Sequence, residues 1–135
     1  MSTSVIESSG KPVDEALLTR YQRAWSEGDV EAIVSMMTED GVYEASFGPE
    51  PWGERFVGRD AIRAGILRNR AASTHRNSTH EYDETYLFGS HAVATWTSTW
   101  TDADGRSGAV HGMDLFEFRD GLVARKIAYR KGTSA

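Results

Sequence analysis

The chain of 135 residues contains no cysteine. This excludes disulfides, thiolate catalysis and metal sites with cysteine ligands. Its four histidines are scattered, and no two of them have the spacing of metal ligands on one helix face. The sequence also lacks a glycine-rich segment between a strand and a helix, which a nucleotide site requires. We therefore expect neither a metal nor a cofactor.

Runs of basic residues are missing as well, and the formal net charge is -5. Nucleic acid is not an expected partner, because binding to phosphates needs clustered Lys and Arg. No apolar run approaches the length of a membrane span, and residues 1–10 lack the cationic start and apolar stretch of a signal peptide. We expect a cytoplasmic protein that does not bind a membrane.

The residues that are present suit one compact domain. Apolar residues make up 39% of the sequence and aromatic residues 10%, which is enough for a core at this length. Residues 1–12 are rich in Ser and end in Lys-Pro, a composition that predicts a flexible N-terminal arm. A single domain is therefore expected over residues 13–132.

Hydrophobic spacing predicts three helices in the first half of this domain. The first helix follows Asp14 and ends at Gly28, and Asp29 caps a second helix that we expect to reach residues 39–41. A strand over residues 42–47, a loop over 48–53 and a third helix over 58–72 follow. The residues expected to face the core from the helices are Leu17, Leu18, Tyr21, Ala24, Trp25, Ile33, Val34, Met36, Met37, Ala61, Ile62, Ile66 and Leu67.

The second half is predicted to be strand. Alternating segments cover residues 78–88, 92–101 and 109–129, and the last of them folds back at Asp120-Gly121. Helices grouped before antiparallel strands make an α+β domain. A strongly curved sheet over a few helices leaves a concave mouth, which its side chains either fill or leave open for a ligand.

One strand face has the composition of a cavity wall. Trp96, Ser98 and Trp100 share this face because alternate residues of a strand point the same way. The alternative is that both Trp residues are plain core, but an indole is large and its N–H needs a partner, which favours a cavity wall. The orientation of Trp52, in the loop, would also affect the volume of the pocket.

Asp114 is a carboxyl residue in the alternating aromatic strand 112–118, where burial is costly. We interpret it as a working group that shares its strand face with Phe116. The alternatives are a solvated Asp on the outer face of the sheet and an Asp paired with Lys across the hairpin. A three-residue loop at 119–121 would bring Asp114 opposite Lys126, whereas a two-residue turn would bring it opposite Ile127.

Two motifs resemble the nuclear-transport-factor-2-like superfamily, particularly ketosteroid isomerases and SnoaL-like polyketide cyclases. They are Arg20-Tyr21 followed by Gly28-Asp29, and the segment Met113-Asp114-Leu115-Phe116-Glu117-Phe118. The resemblance implies a cone-shaped domain with a curved, mixed, mainly antiparallel sheet packed on about three N-terminal helices. It also implies that Tyr21 and Asp114 lie at the deep end of one apolar pocket, as the matching Tyr and Asp of the isomerases hold the substrate carbonyl oxygen.

The resemblance to the isomerases breaks at Ala45, where their proton-shuttling Asp would fall. SnoaL-like cyclases keep an acid-base Asp at the position of Asp114 and do not need the missing carboxylate. His80 is a further candidate base, because its strand resembles that of the active-site His in dehydratases of the superfamily, and imidazole titrates near neutral pH. Glu84, on the same predicted strand face, could orient this imidazole.

These observations lead to one functional hypothesis and one rival. We expect cofactor-free acid-base catalysis on a small hydrophobic carbonyl compound of polyketide or steroid type, by cyclisation, isomerisation or dehydration, with Tyr21, His80 and Asp114 as catalytic residues. The rival is a non-catalytic module that binds small molecules or dimerises. Met113 and Leu115, opposite Asp114, predict a homodimer through the outer sheet face. The expected substrate-binding residues are Trp52, Trp96, Ser98, Trp100 and Phe116.

Overall fold

A computed structural model describes residues 4–5 and 10–132 of the chain. Its elements are α1 (Glu15–Glu27), α2 (Val30–Ser35), β1 (Met37–Glu44), β2 (Arg55–Val57), α3 (Arg59–Ala72), β3 (Arg76–Phe88), β4 (His91–Thr101), β5 (Ser107–Arg119) and β6 (Leu122–Arg130). Most of the predicted arm, residues 1–3 and 6–9, lies outside the described residues. Within the described part of the chain, no helix is long and apolar enough to cross a membrane.

The six strands form one sheet in the order β2-β1-β6-β5-β4-β3. Neighbouring strands run antiparallel, except for β1 and β6, which are parallel. This mixed, mainly antiparallel sheet curves around the three helices, and the predicted α+β cone is therefore confirmed. The core between sheet and helices includes Leu18, Tyr21, Ile33, Ile62, Phe116 and Val123.

The ends of α1 and of α2 follow the predicted capping. The side chain of Asp14 accepts a hydrogen bond from the N–H of Leu17 at 3.1 Å, and that of Asp29 accepts one from Ala32 at 3.1 Å. Gly28 adopts a left-handed conformation with φ of 69°, which ends α1 and lets its N–H bond to the last carbonyls of the helix. The caps bring the end of α1, with Trp25, to the mouth of the sheet.

The predicted boundary between the second helix and the first strand is wrong. The helix was expected to reach residues 39–41, but α2 ends at Ser35 and β1 begins at Met37. The N–H of Val123 donates to the Met36 carbonyl at 2.9 Å, and Met37 pairs with Val123 in β6. Apolar residues at helical spacing therefore serve as strand residues here, because pairing with a distant strand overrides local periodicity.

Neither predicted register of the last hairpin is correct, and Asp114 pairs with Ala128. The turn is the two-residue form: Asp120 and Gly121 have φ of 54° and 74°, and Arg119 pairs with Leu122. A register shift then inserts one extra residue into β6, because Phe118 pairs with Val123 but Glu117 pairs with Arg125. Lys126 consequently lies two residues from the partner of Asp114 and on the same face of the sheet.

Candidate functional site

A cavity of about 1000 Å³ opens at the wide end of the cone, between the inner face of the sheet and the ends of α1 and α3. Its wall includes Trp96 and Trp100 from β4, and its floor is polar. The polar residues of the floor, His80, Ser98, Asp114 and Lys126, come from four neighbouring strands. We call these four residues the floor cluster.

Asp114 is completely buried at this floor. One carboxylate oxygen accepts a hydrogen bond from the Trp96 indole N–H at 2.9 Å, and the other accepts one from the Tyr82 hydroxyl at 2.6 Å. The Lys126 ammonium lies 3.5 Å from the second oxygen. Asp114 is therefore paired with a Lys across the hairpin and does not face solvent. Burial, followed by the charge of Asp114, raises the pKa of Tyr82 well above its ordinary value.

Lys126 is a buried cation, with only 3% of its surface exposed. Its Nζ atom lies 3.4 Å from the centre of the Trp25 ring and 4.9 Å from that of Tyr43, so two aromatic faces replace much of its water. Burial lowers the pKa of Lys126 below its ordinary value, and the neighbouring Asp114 carboxylate opposes this effect.

His80 lies beside the ion pair and has one ring nitrogen without a partner. Its Nδ1 atom is 2.7 Å from the Ser98 hydroxyl oxygen, whereas Nε2 is buried and forms no hydrogen bond with any described residue. Burial lowers the pKa of His80 to about 4, the Lys126 charge adds to this effect, and Asp114 opposes it. The imidazole is therefore neutral near pH 7, and Nε2 is free to donate or accept a hydrogen bond.

Ser98, and not Glu84, orients the imidazole of His80. Glu84 was expected on the same strand face as His80, but the register between β3 and β4 shifts between Tyr82 and Thr85. The bulge turns Glu84 outward, where its carboxylate accepts a hydrogen bond from the Tyr86 hydroxyl.

Tyr21, Phe116 and Trp52 lie away from the cavity wall. Tyr21 is fully buried in the core, where its hydroxyl donates to the Met37 sulfur at 3.4 Å and its ring meets Phe116 edge-on at 5.9 Å. Burial raises the pKa of Tyr21 above its ordinary value. Phe116 has no exposed surface, while Trp52 is 45% exposed beneath the guanidinium of Arg55.

The hydroxyl that binds Asp114 comes from Tyr82, which sequence reasoning did not place in the site. The sequence spacing could have indicated it, because Tyr82 is two residues from His80 and strand alternation puts both side chains on one face of the sheet. The sequence indicates Lys126 only as a possible neighbour of Asp114.

Two glycines of β5 make room for the indoles of β4. Gly112 pairs with Trp96, and Gly108 pairs with Trp100. A Cβ atom on Gly112 would lie 2.2 Å from the Trp96 ring, and one on Gly108 would lie 2.4 Å from the Trp100 ring. Both indole rings therefore lie over the backbone of β5 at glycines, which have no side chain, and this packing orients Trp96 towards Asp114.

The position of the isomerase base is closed to the cavity. Ala45 is 1% exposed, and the neighbouring carboxylate of Glu44 pairs with Arg55 at 2.7 Å. Among the described residues, no three His, Asp or Glu side chains form a group that could hold a metal ion. The titratable side chains of the floor cluster are an imidazole, an amine and a carboxylate.

Comparison with known proteins identifies the architecture. The SnoaL-like domain matches residues 18–126, and no curated protein matches the chain. A candidate polyketide cyclase from Xanthomonas campestris pv. campestris is 21% identical, with a TM-score of 0.68 over 87% of this chain and 89% of that chain. An NTF2-like protein of unknown function from Mesorhizobium loti is 26% identical, with a TM-score of 0.67 over 94% and 100%.

A third structure resembles the chain and contains a small molecule. It is a protein from Catenulispora acidiphila with a ketosteroid isomerase-like fold, in complex with trimethylamine, and it is 19% identical with a TM-score of 0.70 over 87% of this chain and 85% of that chain. The predicted resemblance to the superfamily is therefore confirmed at the level of the fold.

Proposed function

Because this chain belongs to the SnoaL-like domain family, we propose that it catalyses cofactor-free proton transfer on a small hydrophobic carbonyl compound. Cyclisation, isomerisation and dehydration all begin with such a transfer next to a carbonyl group. The observation that carries the proposal is the floor cluster, in which a neutral imidazole with an unpartnered nitrogen lies beside a buried ammonium-carboxylate pair.

In the proposed mechanism, His80 is the base. When its Nδ1–H donates to the Ser98 hydroxyl, Nε2 holds the lone pair and can take a proton from the carbon next to the carbonyl. The Lys126 ammonium stabilises the negative charge that develops on the carbonyl oxygen, and it does so in a site from which aromatic rings exclude water. Asp114 holds this ammonium in place and balances its charge.

The product of the reaction then depends on the step that follows formation of the enolate. Return of the proton from His80 to another carbon gives isomerisation, attack of the enolate on a second carbonyl gives cyclisation, and loss of a hydroxyl group gives dehydration. Trp96 and Trp100 in the cavity wall favour an apolar substrate, because aromatic side chains that line a pocket bury apolar ligand surface.

Exchange of α-protons tests this proposal without knowledge of the natural substrate. Aryl ketones and enones that bind the protein would be incubated in D2O, and deuterium incorporation would be followed by NMR. We expect His80→Gln to reduce the exchange rate about a hundredfold or more, since a positioned base contributes this much. His91→Gln, the same change outside the cavity, is the matched control and should retain the native rate. Equal rates for the native protein and His80→Gln would contradict the assignment.

A second candidate function is binding without catalysis. The observation that favours it is the buried Ala45 at the position of the isomerase base, with Glu44 engaged by Arg55. A binding module would hold the same ketones in the cavity but would exchange none of their protons.

We also propose that the protein forms a homodimer through the outer face of the sheet. Met113 is 36% exposed and Tyr129 is 54% exposed on this face. They border a depression of about 720 Å³ that Thr95 and His111 also line. A second copy would cover this apolar surface. Sedimentation should show a dimer at micromolar concentration and a monomer for Met113→Asp; a native monomer would contradict the proposal.

A further inference from the structure

The lysine at the cavity floor differs from the other lysines of the chain. Lys11, Lys126 and Lys131 are the only three in the sequence. Lys11 and Lys131 are exposed, whereas Lys126 is 3% exposed and contributes to the floor of the cavity. In a cavity proposed to take carbonyl compounds, this amine is the strongest nucleophile among the side chains that line the floor.

The surroundings of Lys126 suit a reaction with a carbonyl group. Its Nζ atom lies over the face of Trp25 at 3.4 Å, so the amine is largely desolvated. The Asp114 carboxylate at 3.5 Å can receive a proton from the ammonium and return it to a leaving oxygen. The aromatic faces that stabilise the ammonium would also stabilise an iminium cation, which carries the same charge at the same position.

We infer that Lys126 forms an imine with the carbonyl carbon of a ketone or aldehyde bound in the cavity. This inference rests on the proposed function, in that the ligand is a carbonyl compound, and it adds a covalent step after which an iminium on Lys126 takes the place of the ammonium. Burial lowers the pKa of Lys126, which increases the fraction of neutral amine available for attack.

The step balances without any further reactant. Lys126 passes one proton to Asp114, and the neutral amine adds to the carbonyl carbon to give a carbinolamine. The protonated Asp114 then donates this proton to the carbinolamine hydroxyl, which leaves as water. The nitrogen keeps one hydrogen and becomes a protonated imine, while Asp114 is again a carboxylate. The iminium makes the neighbouring C–H more acidic than the ketone does, and His80 Nε2 is the nearby base.

Reductive trapping tests the covalent bond. The native protein would be mixed with benzylideneacetone, an aryl enone, and treated with sodium borohydride, which converts an imine into a stable secondary amine. Peptide mass mapping should find the label on Lys126, with at least tenfold less on Lys11 and Lys131, which serve as internal controls. Labelling of only the exposed lysines, or no labelling at all, would overturn the inference.

Two variants keep this test independent of folding. Lys126→Arg preserves the positive charge beside Asp114 but cannot form an imine, and it should lose the label. If this variant does not fold, the double substitution Lys126→Met with Asp114→Asn removes both charges together. Label that persists on the folded variant at the level of the native protein would overturn the assignment to Lys126.

Oxygen exchange separates this inference from the proposed function. Imine formation and hydrolysis replace the carbonyl oxygen with one from water, whereas direct enolisation does not. A bound ketone labelled with ¹⁸O should therefore lose its label with native protein at least tenfold faster than with Lys126→Arg. Deuterium incorporation with retention of ¹⁸O would overturn the imine and leave proton transfer standing. Loss of ¹⁸O and trapping at Lys126 without deuterium incorporation would support the imine and contradict the proposed proton transfer.

Discussion

At the scale of single residues, the charges of the floor cluster depend on one another. Asp114 and Lys126 are almost completely removed from water, and each is the other's ionic partner. Removing one member of such a pair leaves an uncompensated buried charge, which costs more than the pair itself contributes. The ion pair could not be established from the sequence alone, because it depends on a one-residue bulge in β6 that the local sequence pattern does not indicate.

The stability of the pair can be measured with a double-mutant cycle. We expect Lys126→Met to reduce the free energy of unfolding by about 3–5 kcal/mol, because Asp114 is left unpaired. Addition of Asp114→Asn to this variant should recover a large part of the loss, since it removes the remaining charge. Urea unfolding of the native protein, the two single variants and the double variant gives the four values. Simple additivity of the single losses would show that the two charges are not coupled.

His80 makes a separate prediction about pH. Its folded-state pKa of about 4 lies below the ordinary value of 6.5. Between these values the unfolded chain binds more protons than the folded protein. The contribution of His80 to the free energy of unfolding is therefore fully present above pH 6.5 and is lost as the pH falls towards 4. The loss should be on the order of 3 kcal/mol.

His80→Gln should therefore flatten the pH dependence of stability between pH 7 and pH 4. NMR titration of the ring provides a direct check on the native protein. An apparent pKa at or above 6.5 for His80 would contradict the proposed burial of a neutral imidazole.

At the scale of the elements, strand alternation predicted the inward face of β4 correctly, and bulges account for two of the errors. Trp96, Ser98 and Trp100 lie on the cavity wall as their spacing indicates. The shift in β3 turns Glu84 away, and the shift in β6 changes the partner of Asp114. An inserted strand residue shifts the phase of the alternation by one position, and a single shift within a strand of mixed polar and apolar residues is hard to recognise in the sequence.

Gly112 offers a test of how β5 orients β4. A methyl group at this position would overlap the Trp96 ring and the Tyr129 carbonyl oxygen, so Gly112→Ala should displace the indole from Asp114 and reduce the free energy of unfolding by about 1–3 kcal/mol. Gly132→Ala is the matched control, because nothing lies within 4 Å of its Cβ position. Thermal unfolding and Trp fluorescence measure the two effects. An unchanged stability for Gly112→Ala would show that the indole does not lie across the backbone at this point.

At the scale of the whole molecule, the order of helices and strands predicted an α+β domain with a concave mouth, and the resemblance to the superfamily added the cone shape. The members of the floor cluster come from β3, β4, β5 and β6, so their meeting depends on the curvature and register of the complete sheet. The fold of the whole molecule also determines that Tyr82, and not Tyr21, is the hydrogen-bond partner of Asp114. The packing of α1 directs the Tyr21 hydroxyl to Met37 in the core, a contact that helical spacing does not reveal.

The central claim is that the cavity transforms a carbonyl compound rather than merely holding it. Its most direct test is to measure the dissociation constant and the α-deuteration rate of one ketone for the native protein and for Asp114→Asn, which keeps the shape of the side chain but removes its charge. We predict that the rate falls about a hundredfold or more, because Lys126 loses the carboxylate that holds its ammonium in place, while the dissociation constant changes less than about threefold. A native protein that binds the ketone but exchanges its protons no faster than buffer, or no faster than Asp114→Asn, would contradict the account.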